Sequence, residues 1–351
     1  MDVPTAPLVS VIVRTRDRPS LLREALASLG AQTFRDFETL VVADGGTRPP
    51  EDLLAASPGA GGLRLLHRDP PHGRARALNT GLDAARGRFI AYLDDDDRYL
   101  PDHLATLANF LSGSDSYRVA YTDVEQVKHT LGEDGRYHDG ERLVVYGQAF
   151  DADRLLSSNY ISLIGLMHAA TDLRYDESFD ILEDWDFMLR LAERGKFHRI
   201  AKVTAIYRVR DDRSNATTAT PWHGAEAEAA RRRLLDKHWH RHSSASQMAL
   251  VDSFQNEIWL LRRDREAIEK RLSGDLARTI AETTARMTEL DIRGQLLDSE
   301  LRSFRGDASR QLQAAGERET ALKAILQQIY DSSSWRLLSR YWRLKSRLLG
   351  R

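Results

Sequence analysis

Cysteine is absent from all 351 residues. That excludes a disulfide framework, a thiolate-ligated zinc or iron–sulfur site, and a thiol nucleophile. Long apolar runs are missing too, since no stretch approaches the roughly 18 consecutive apolar residues of a membrane-spanning helix. Met1–Pro7 shows no basic stretch followed by an apolar one, so no secretory signal is expected. An excess of either charge is also lacking: 51 Lys and Arg face 52 Asp and Glu, which argues against a general nucleic-acid coat. Proline is scarce, ten in all, and none follows Pro221. With 42% hydrophobic residues, the chain can still bury a core, in about two to three domains.

The charge balance is an average over unlike parts. Residues 1–245 carry 32 basic and 37 acidic side chains, whereas residues 246–351 carry 19 basic and 15 acidic. After Asp331 there is no acid, but Arg336, Arg340, Arg343, Lys345, Arg347 and Arg351 are all basic. Such asymmetry predicts an interaction tail.

The first third alternates short strands and helices. Leu8–Val13, Glu38–Ala43, Leu63–Leu66 and Phe89–Leu93 are β-branched or apolar runs, as expected of buried parallel strands. Pro19 opens a helical pattern with Leu22, Ala25, Leu26 and Leu29 on one face, and Ala75–Ala85 is a second helix with Gly87 just beyond it. This alternation predicts an α/β domain with a mostly parallel sheet. Ligands in such sheets sit beyond the strands' carboxyl ends, where Asp44 and Asp94–Asp97 fall. Further on, Val119–Val124 and Ala205–Val209 read as strands, and 181–194 and 224–241 as helices.

From about residue 246 the pattern is heptad-like. One apolar seam runs Val251, Phe254, Ile258, Leu261, Arg265, Ile268, Leu272, and a second runs from Ile280 to Ile329, one residue out of phase near Gly274. This predicts a long self-associating coiled coil; unbroken over 247–330, it would extend roughly 126 Å at about 1.5 Å per residue. Gly294, Gly306 and Gly316 are where it would break.

Four consecutive aspartates directly after an apolar strand are costly, because like charges raise one another's pKa unless a cation is present. A helix N-cap near Pro101-Asp102 would explain one or two acids, not four. Hard divalent cations take such oxygen ligands together with substrate phosphates.

These segments, in order, resemble the family 2 glycosyltransferases. The resemblance is carried by Leu8–Pro19 (LVSVIVRTRDRP), Phe34–Gly46 (FRDFETLVVADGG), Ala77–Gly87 (ALNTGLDAARG), Phe89–Asp102 (FIAYLDDDDRYLPD) and Ile181–Arg194 (ILEDWDFMLRLAER), over about residues 7–215. It implies a Rossmann-like GT-A fold in which Thr15, Arg16 and Arg18 touch the nucleotide and its phosphates, and Asp44 the base. Arg74 or Arg76 would lie near the base or diphosphate, with Asn79 in the same motif. Asp95 would face the ribose, and Asp94 and Asp96 would hold Mn²⁺ or Mg²⁺. Of the Glu183-Asp184 pair, Asp184 would be the general base on the acceptor hydroxyl. One base and one displacement imply inversion at the transferred carbon.

Two positions depart from the family pattern. Arg16 stands where relatives carry an aromatic residue, and a guanidinium plane can also stack. Arg210 stands where relatives often carry a metal-ligating histidine, which leaves His223 as a substitute ligand. Trp185 and Trp222 are candidates for an acceptor-pocket wall. His238, His240 and His242 fall on different helix faces and do not form a zinc site. The tail, Ser332–Leu338 with Tyr341, Trp342, Leu344 and Leu348, resembles the endings of bacterial surface-polysaccharide glycosyltransferases, and its basic, Trp-containing character suits a membrane interface.

The sequence therefore predicts a nucleotide-sugar-binding half (1–115), an acceptor-binding half with the base (116–245), a coiled coil (246–330) and a basic aromatic tail (331–351). The expected activity is inverting, metal-dependent transfer from a UDP-linked sugar to a glycan or lipid-linked glycan. The expected location is cytoplasmic, peripheral on the inner face of the membrane, as a homo-oligomer. A nucleotidyltransferase is the competing enzyme class, but Arg14–Pro19 lacks that class's glycine-rich phosphate loop. A degenerate coiled-coil scaffold is the non-enzymatic alternative; the intact aspartate run argues against it.

Overall fold

Residues apolar on both faces are what a strand covered by helices on both sides requires. In the computed structural model such runs form β1 (Val9–Thr15), β2 (Phe37–Asp44) and β4 (Phe89–Asp94), and β3 (Leu63–Arg68) lies at their edge. The structure describes residues 6–55, 59–132, 137–210, 225–241, 243–244, 246–248, 251, 262–263, 265–266, 268–278 and 294–331. The chain divides into two units, Met1–Arg241 and His242–Arg351.

In the first unit the remaining elements are α1 (Pro19–Gly30), α2 (Glu51–Ala55), α3 (Arg74–Ala84), β5 (Arg98–Tyr99), α4 (His103–Ser112), β6 (Tyr117–Leu131) and β7 (Tyr137–Tyr146). After these come α5 (Ala152–Ser157), β8 (Leu166–Ala169), α6 (Glu183–Arg194), β9 (Lys196–Val209) and α7 (Ala225–His238). One sheet runs β3-β2-β1-β4-β8-β6-β9-β5, with β7 paired to β6. Strands β3, β2, β1 and β4 are parallel, as are β6 and β9; β8 is antiparallel to both β4 and β6.

The alternation of strand side chains sorts the core into two layers. Val11 and Val13 face Leu22, Leu26, Leu104 and Leu107 of α1 and α4. Ile12, between them, faces the other way, toward Leu78 of α3 and Phe187, Met188 and Leu191 of α6. Leu22 is fully buried, and its truncation to Ala would cost roughly 2–5 kcal/mol. The parallel pairing β1–β4 brings Arg14 beside Asp94, and β1–β2 brings Thr15 beside Ala43, so the polar strand ends share one rim.

In the second unit, helix α8 (Gly294–Asp331) runs unbroken through Gly306 and Gly316, two of the predicted break points. Glu319 on this helix pairs with Arg262 at 3.0 Å and Arg265 at 3.2 Å. A single rod over 247–330 would hold Arg265 and Glu319 about 81 Å apart at about 1.5 Å per residue. The chain therefore reverses between them, so 247–330 is not one unbroken rod. Phe254, Ile258, Leu261, most of the stretch between the two seams, and the tail beyond Asp331 lie outside the described residues. Among the described residues, no helix is long and apolar enough to cross a membrane.

Candidate active site

A cavity of about 540 Å³ opens where β1, β2 and β4 end. Its lining takes in Arg14, Thr15, Arg16, Arg18, Asp44, Arg74 and Asp94–Asp97, joined from later in the chain by Ser162, Leu163, Leu182, Asp184 and Tyr207.

The loops at the strand ends are organised by carboxylates. Asp44 ends β2, and its two oxygens accept the backbone N–H groups of His72 and Gly73, both at 2.9 Å. Gly73 has φ +96°, a conformation that costs glycine little, and this turns its amide toward Asp44 at the start of α3. Arg74, the first residue of α3, then lines the cavity.

Each residue of the aspartate run has a different environment. Asp94 accepts from Arg14 at 2.8 Å. Asp95 accepts the Thr15 hydroxyl at 2.6 Å and Arg18 at 3.3 Å; burial first, then Asp96, pushes its carboxyl up to about 6. Asp96 pairs through one oxygen with Arg210 at 2.7 Å and Arg18 at 3.2 Å. Asp97 is fully buried, and burial with the neighbouring Asp96 pushes its carboxyl well up. Its Oδ1 accepts the Arg208 N–H at 2.8 Å, while its Oδ2 is buried with no hydrogen-bond partner among the described residues.

Asp94, Asp96 and Asp97 each offer an oxygen, all within 4.8 Å of one another. Three hard oxygens, with one buried carboxylate atom left unsatisfied on Asp97, fit a divalent cation. Of these three, Asp94 and Asp96 are the residues expected from the sequence to be ligands. The structure adds Asp97 to the group, and His223 lies outside the described residues.

The other wall is built by the start of α6. Leu182 has φ +65°, a left-handed conformation that costs a non-glycine residue roughly 1–2 kcal/mol. From this turn the first-turn acids, all favoured by the helix N-terminus, diverge. Glu183 points inward, 1% exposed, to Arg74 at 2.9 Å and Arg14 at 3.4 Å. Burial pushes its carboxyl up, chiefly against the opposing pull of Arg74. Asp184 lines the cavity and accepts the Trp185 N–H at 2.8 Å. Asp186 is fully buried against Arg190 at 2.7 Å, Lys237 at 2.8 Å and His238 at 2.8 Å. Burial would raise the Asp186 carboxyl, but the hydrogen bonds from His238 and Lys237 and the charges of Arg190 and Lys237 outweigh it and hold it below the usual range.

Two residues of the expected nucleotide set do not line the cavity. Arg76 pairs with Glu177 at 2.6 Å. Asn79 is buried, accepting the Tyr175 N–H at 2.7 Å and donating to the Tyr175 carbonyl at 3.0 Å, so it ties down the segment that precedes α6. Trp185 likewise sits in the core, its indole N–H donating to the Leu155 carbonyl at 2.7 Å; it is not a pocket wall. Trp222 lies outside the described residues.

Arg14 is the residue that sequence reasoning passed over. It links the aspartate run to Glu183; burial works against its charge, but Asp94, Glu183 and Asp95 outweigh that and hold the guanidinium protonated. A charged residue inside an otherwise apolar buried strand was the available signal.

A model of the family described as Glycosyl transferase family 2 matches residues 10–154. A PGL/p-HBAD biosynthesis glycosyltransferase of Mycobacterium bovis is 30% identical over 191 residues, covering 53% of this chain and 70% of that protein. The uncharacterized protein y4gI of Sinorhizobium fredii is 29% identical over 250 residues, 68% of this chain, and the chain spans 26% of that relative's length. Among solved structures, S. aureus TarS 1-349 in complex with UDP-GlcNAc has a TM-score of 0.56 at 17% identity, covering 92% of this chain and 93% of that one; it shares the fold.

Proposed function

The chain belongs to glycosyl transferase family 2, and from that premise we propose that it is an inverting, divalent-metal-dependent transferase acting on a UDP-linked sugar. The acceptor is a hydroxyl of a glycan or lipid-linked glycan in bacterial surface-polysaccharide synthesis. The observation that carries this reading is one cavity lined by both Asp94–Asp97 at the end of β4 and Asp184 at the start of α6. Arg14 ties the two groups together through Asp94 and Glu183. The TarS structures with UDP and UDP-GlcNAc support a uridine diphosphate donor.

Thr15, Arg16, Arg18 and Arg74 line the donor side, where guanidinium groups suit phosphate oxygens. Asp44 holds the His72-Gly73 turn that presents Arg74, and Asp95, partnered by Thr15, faces the ribose. Asp94, Asp96 and Asp97 would hold Mn²⁺ or Mg²⁺, which when bound would supply positive charge to offset that of the departing diphosphate. Asp184 takes the proton of the attacking hydroxyl, and Glu183, locked by Arg14 and Arg74, fixes where Asp184 points. Arg76 and Asn79 act indirectly by anchoring the Tyr175–Glu177 segment.

The second unit supports self-association through its heptad seams. The basic aromatic tail supports attachment to the inner face of the cytoplasmic membrane, checked by sedimentation with anionic vesicles before and after deleting 332–351. The enzymatic reading is tested by screening sugar nucleotides with Mn²⁺ for thermal stabilisation and then for nucleotide release. A stabilising donor turned over only without chelator is expected. Absence of any stabilising donor, or full turnover in excess chelator, would overturn the reading or its metal clause, respectively.

A further inference from the structure

Asp96 carries two cations on a single oxygen. Arg210 Nη2 lies 2.7 Å from its Oδ2, and Arg18 Nη1 lies 3.2 Å from the same atom. Arg210 is wholly buried, its guanidinium 5.6 Å over the Tyr137 ring. Arg18 also reaches Asp95 at 3.3 Å, and Arg14 holds Asp94 at 2.8 Å. The aspartate run is thus met by guanidinium charge from β1, from the loop after it, and from the residue just past β9.

A divalent ion drawing on Asp94, Asp96 and Asp97 would share Asp96 with these groups. Like charges at contact distances in a buried site repel strongly, because little water screens them. A guanidinium does not lose its proton in a protein, so this repulsion persists at every working pH. A diphosphate changes the balance: its oxygens offer guanidinium groups an alternative bidentate partner and add negative charge for the ion.

We propose that Arg210, assisted by Arg18, is an internal counter-cation of the aspartate run. In the nucleotide-free protein it occupies Asp96 and keeps divalent-ion affinity low. The ion enters together with a diphosphate, whose charge compensates for both cations. Arg210 is a positioning residue in this scheme, acting through Asp96. The proposal rests on Asp94, Asp96 and Asp97 being cation ligands, and the test separates the two.

The test is Mn²⁺ binding to the full chain, monitored by electron paramagnetic resonance without nucleotide and then with UDP. Arg210→Gln, which removes the charge, is expected to bind Mn²⁺ alone about tenfold or more tightly than the unaltered protein. Arg210→Lys, which keeps the charge, is expected to stay near the unaltered affinity; a purely structural role would not distinguish the two variants. Because Arg210 is buried, Arg18→Gln serves as a second variant on a side chain that is 34% exposed, and it is expected to tighten Mn²⁺ binding in the same direction. UDP should tighten Mn²⁺ binding by the unaltered protein more than by Arg210→Gln. If neither glutamine variant binds Mn²⁺ more tightly while Asp96→Asn abolishes binding, the counter-cation is refuted and the metal ligands stand. If no variant binds Mn²⁺ with or without UDP, both fall.

Discussion

Asp184→Asn should silence transfer while leaving the fold and the donor side in place. Among the described residues, the Asp184 side chain accepts the Trp185 N–H at 2.8 Å, and an asparagine carbonyl oxygen can accept it equally. The ion pairs of this turn belong to its neighbours, Glu183 and Asp186. The stability loss is therefore confined to the lost helix-terminus charge, about 0.3–1 kcal/mol. A positioned general base contributes about 10²–10⁴ in rate, so at about 1.36 kcal/mol per decade the barrier should rise by roughly 3–5 kcal/mol. The proposed donor side, Thr15, Arg18, Asp44 and Asp95 on other elements, is untouched, so UDP affinity should stay within about twofold. Three measurements on one preparation decide it: transfer kcat, UDP binding by calorimetry, and the melting temperature. Retention of more than about a fifth of kcat would refute the base assignment. A loss of UDP affinity matching the loss of kcat would show instead that Asp184 serves the donor.

Two further outcomes concern buried charge. Asp186→Ala strips Arg190, Lys237 and His238 of a shared, fully buried partner and should cost about 3–5 kcal/mol in chemical denaturation; a loss under about 1 kcal/mol would show that the α6–α7 pairing is dispensable. Burial lowers His168 to about 4 and His103 to about 3, so the stability each contributes is present above pH 6.5 and lost as pH falls toward those values. Asp95, raised to about 6, acts with the opposite sign, its contribution being lost as pH rises through that value. Urea unfolding at pH 7 and pH 5 should therefore show a smaller pH 5 deficit in His168→Gln than in the unaltered protein; equal deficits would sink the assignment to His168.

The parallel half was legible because its physics is local. Val9–Val13, Leu40–Val42 and Ile90–Leu93 are apolar on both faces, and Pro19 and Gly87 mark element limits close to where they fall. The acids at the strand ends were legible for the same reason. Less visible were the features that depend on pairing distant in sequence. Strand β7 is exposed along nearly its whole length, so Tyr137–Tyr146 shows no apolar alternation, and only pairing with β6 makes it a strand. Strand β8 is four residues long and contains His168, whose polarity is absorbed by the Tyr92 hydroxyl and the Ala169 carbonyl. In the site, Arg76 and Asn79 look equivalent to Arg74 in sequence. Their partners, Glu177 and Tyr175, come from a segment about a hundred residues later, and nothing local announces it. The heptad seams were visible, but the reversal that brings Arg265 to Glu319 was not, because charged pairs 54 residues apart leave no local trace.

The distance between Asp96 and Arg210 along the chain also sets a schedule for synthesis. Arg210 emerges 114 residues after Asp96. At about 5–20 residues per second, the growing chain would carry its aspartate run without that cation for roughly 6–23 s. During that interval the first 115 residues hold strands able to pair and an aspartate run met by Arg14 and Arg18 but not yet by Arg210. The final shape of the cavity is thus set after β9 is made. A fragment ending near residue 115, or a chimera that joins it to a foreign second half, would inherit the acids without the arginine that accompanies them.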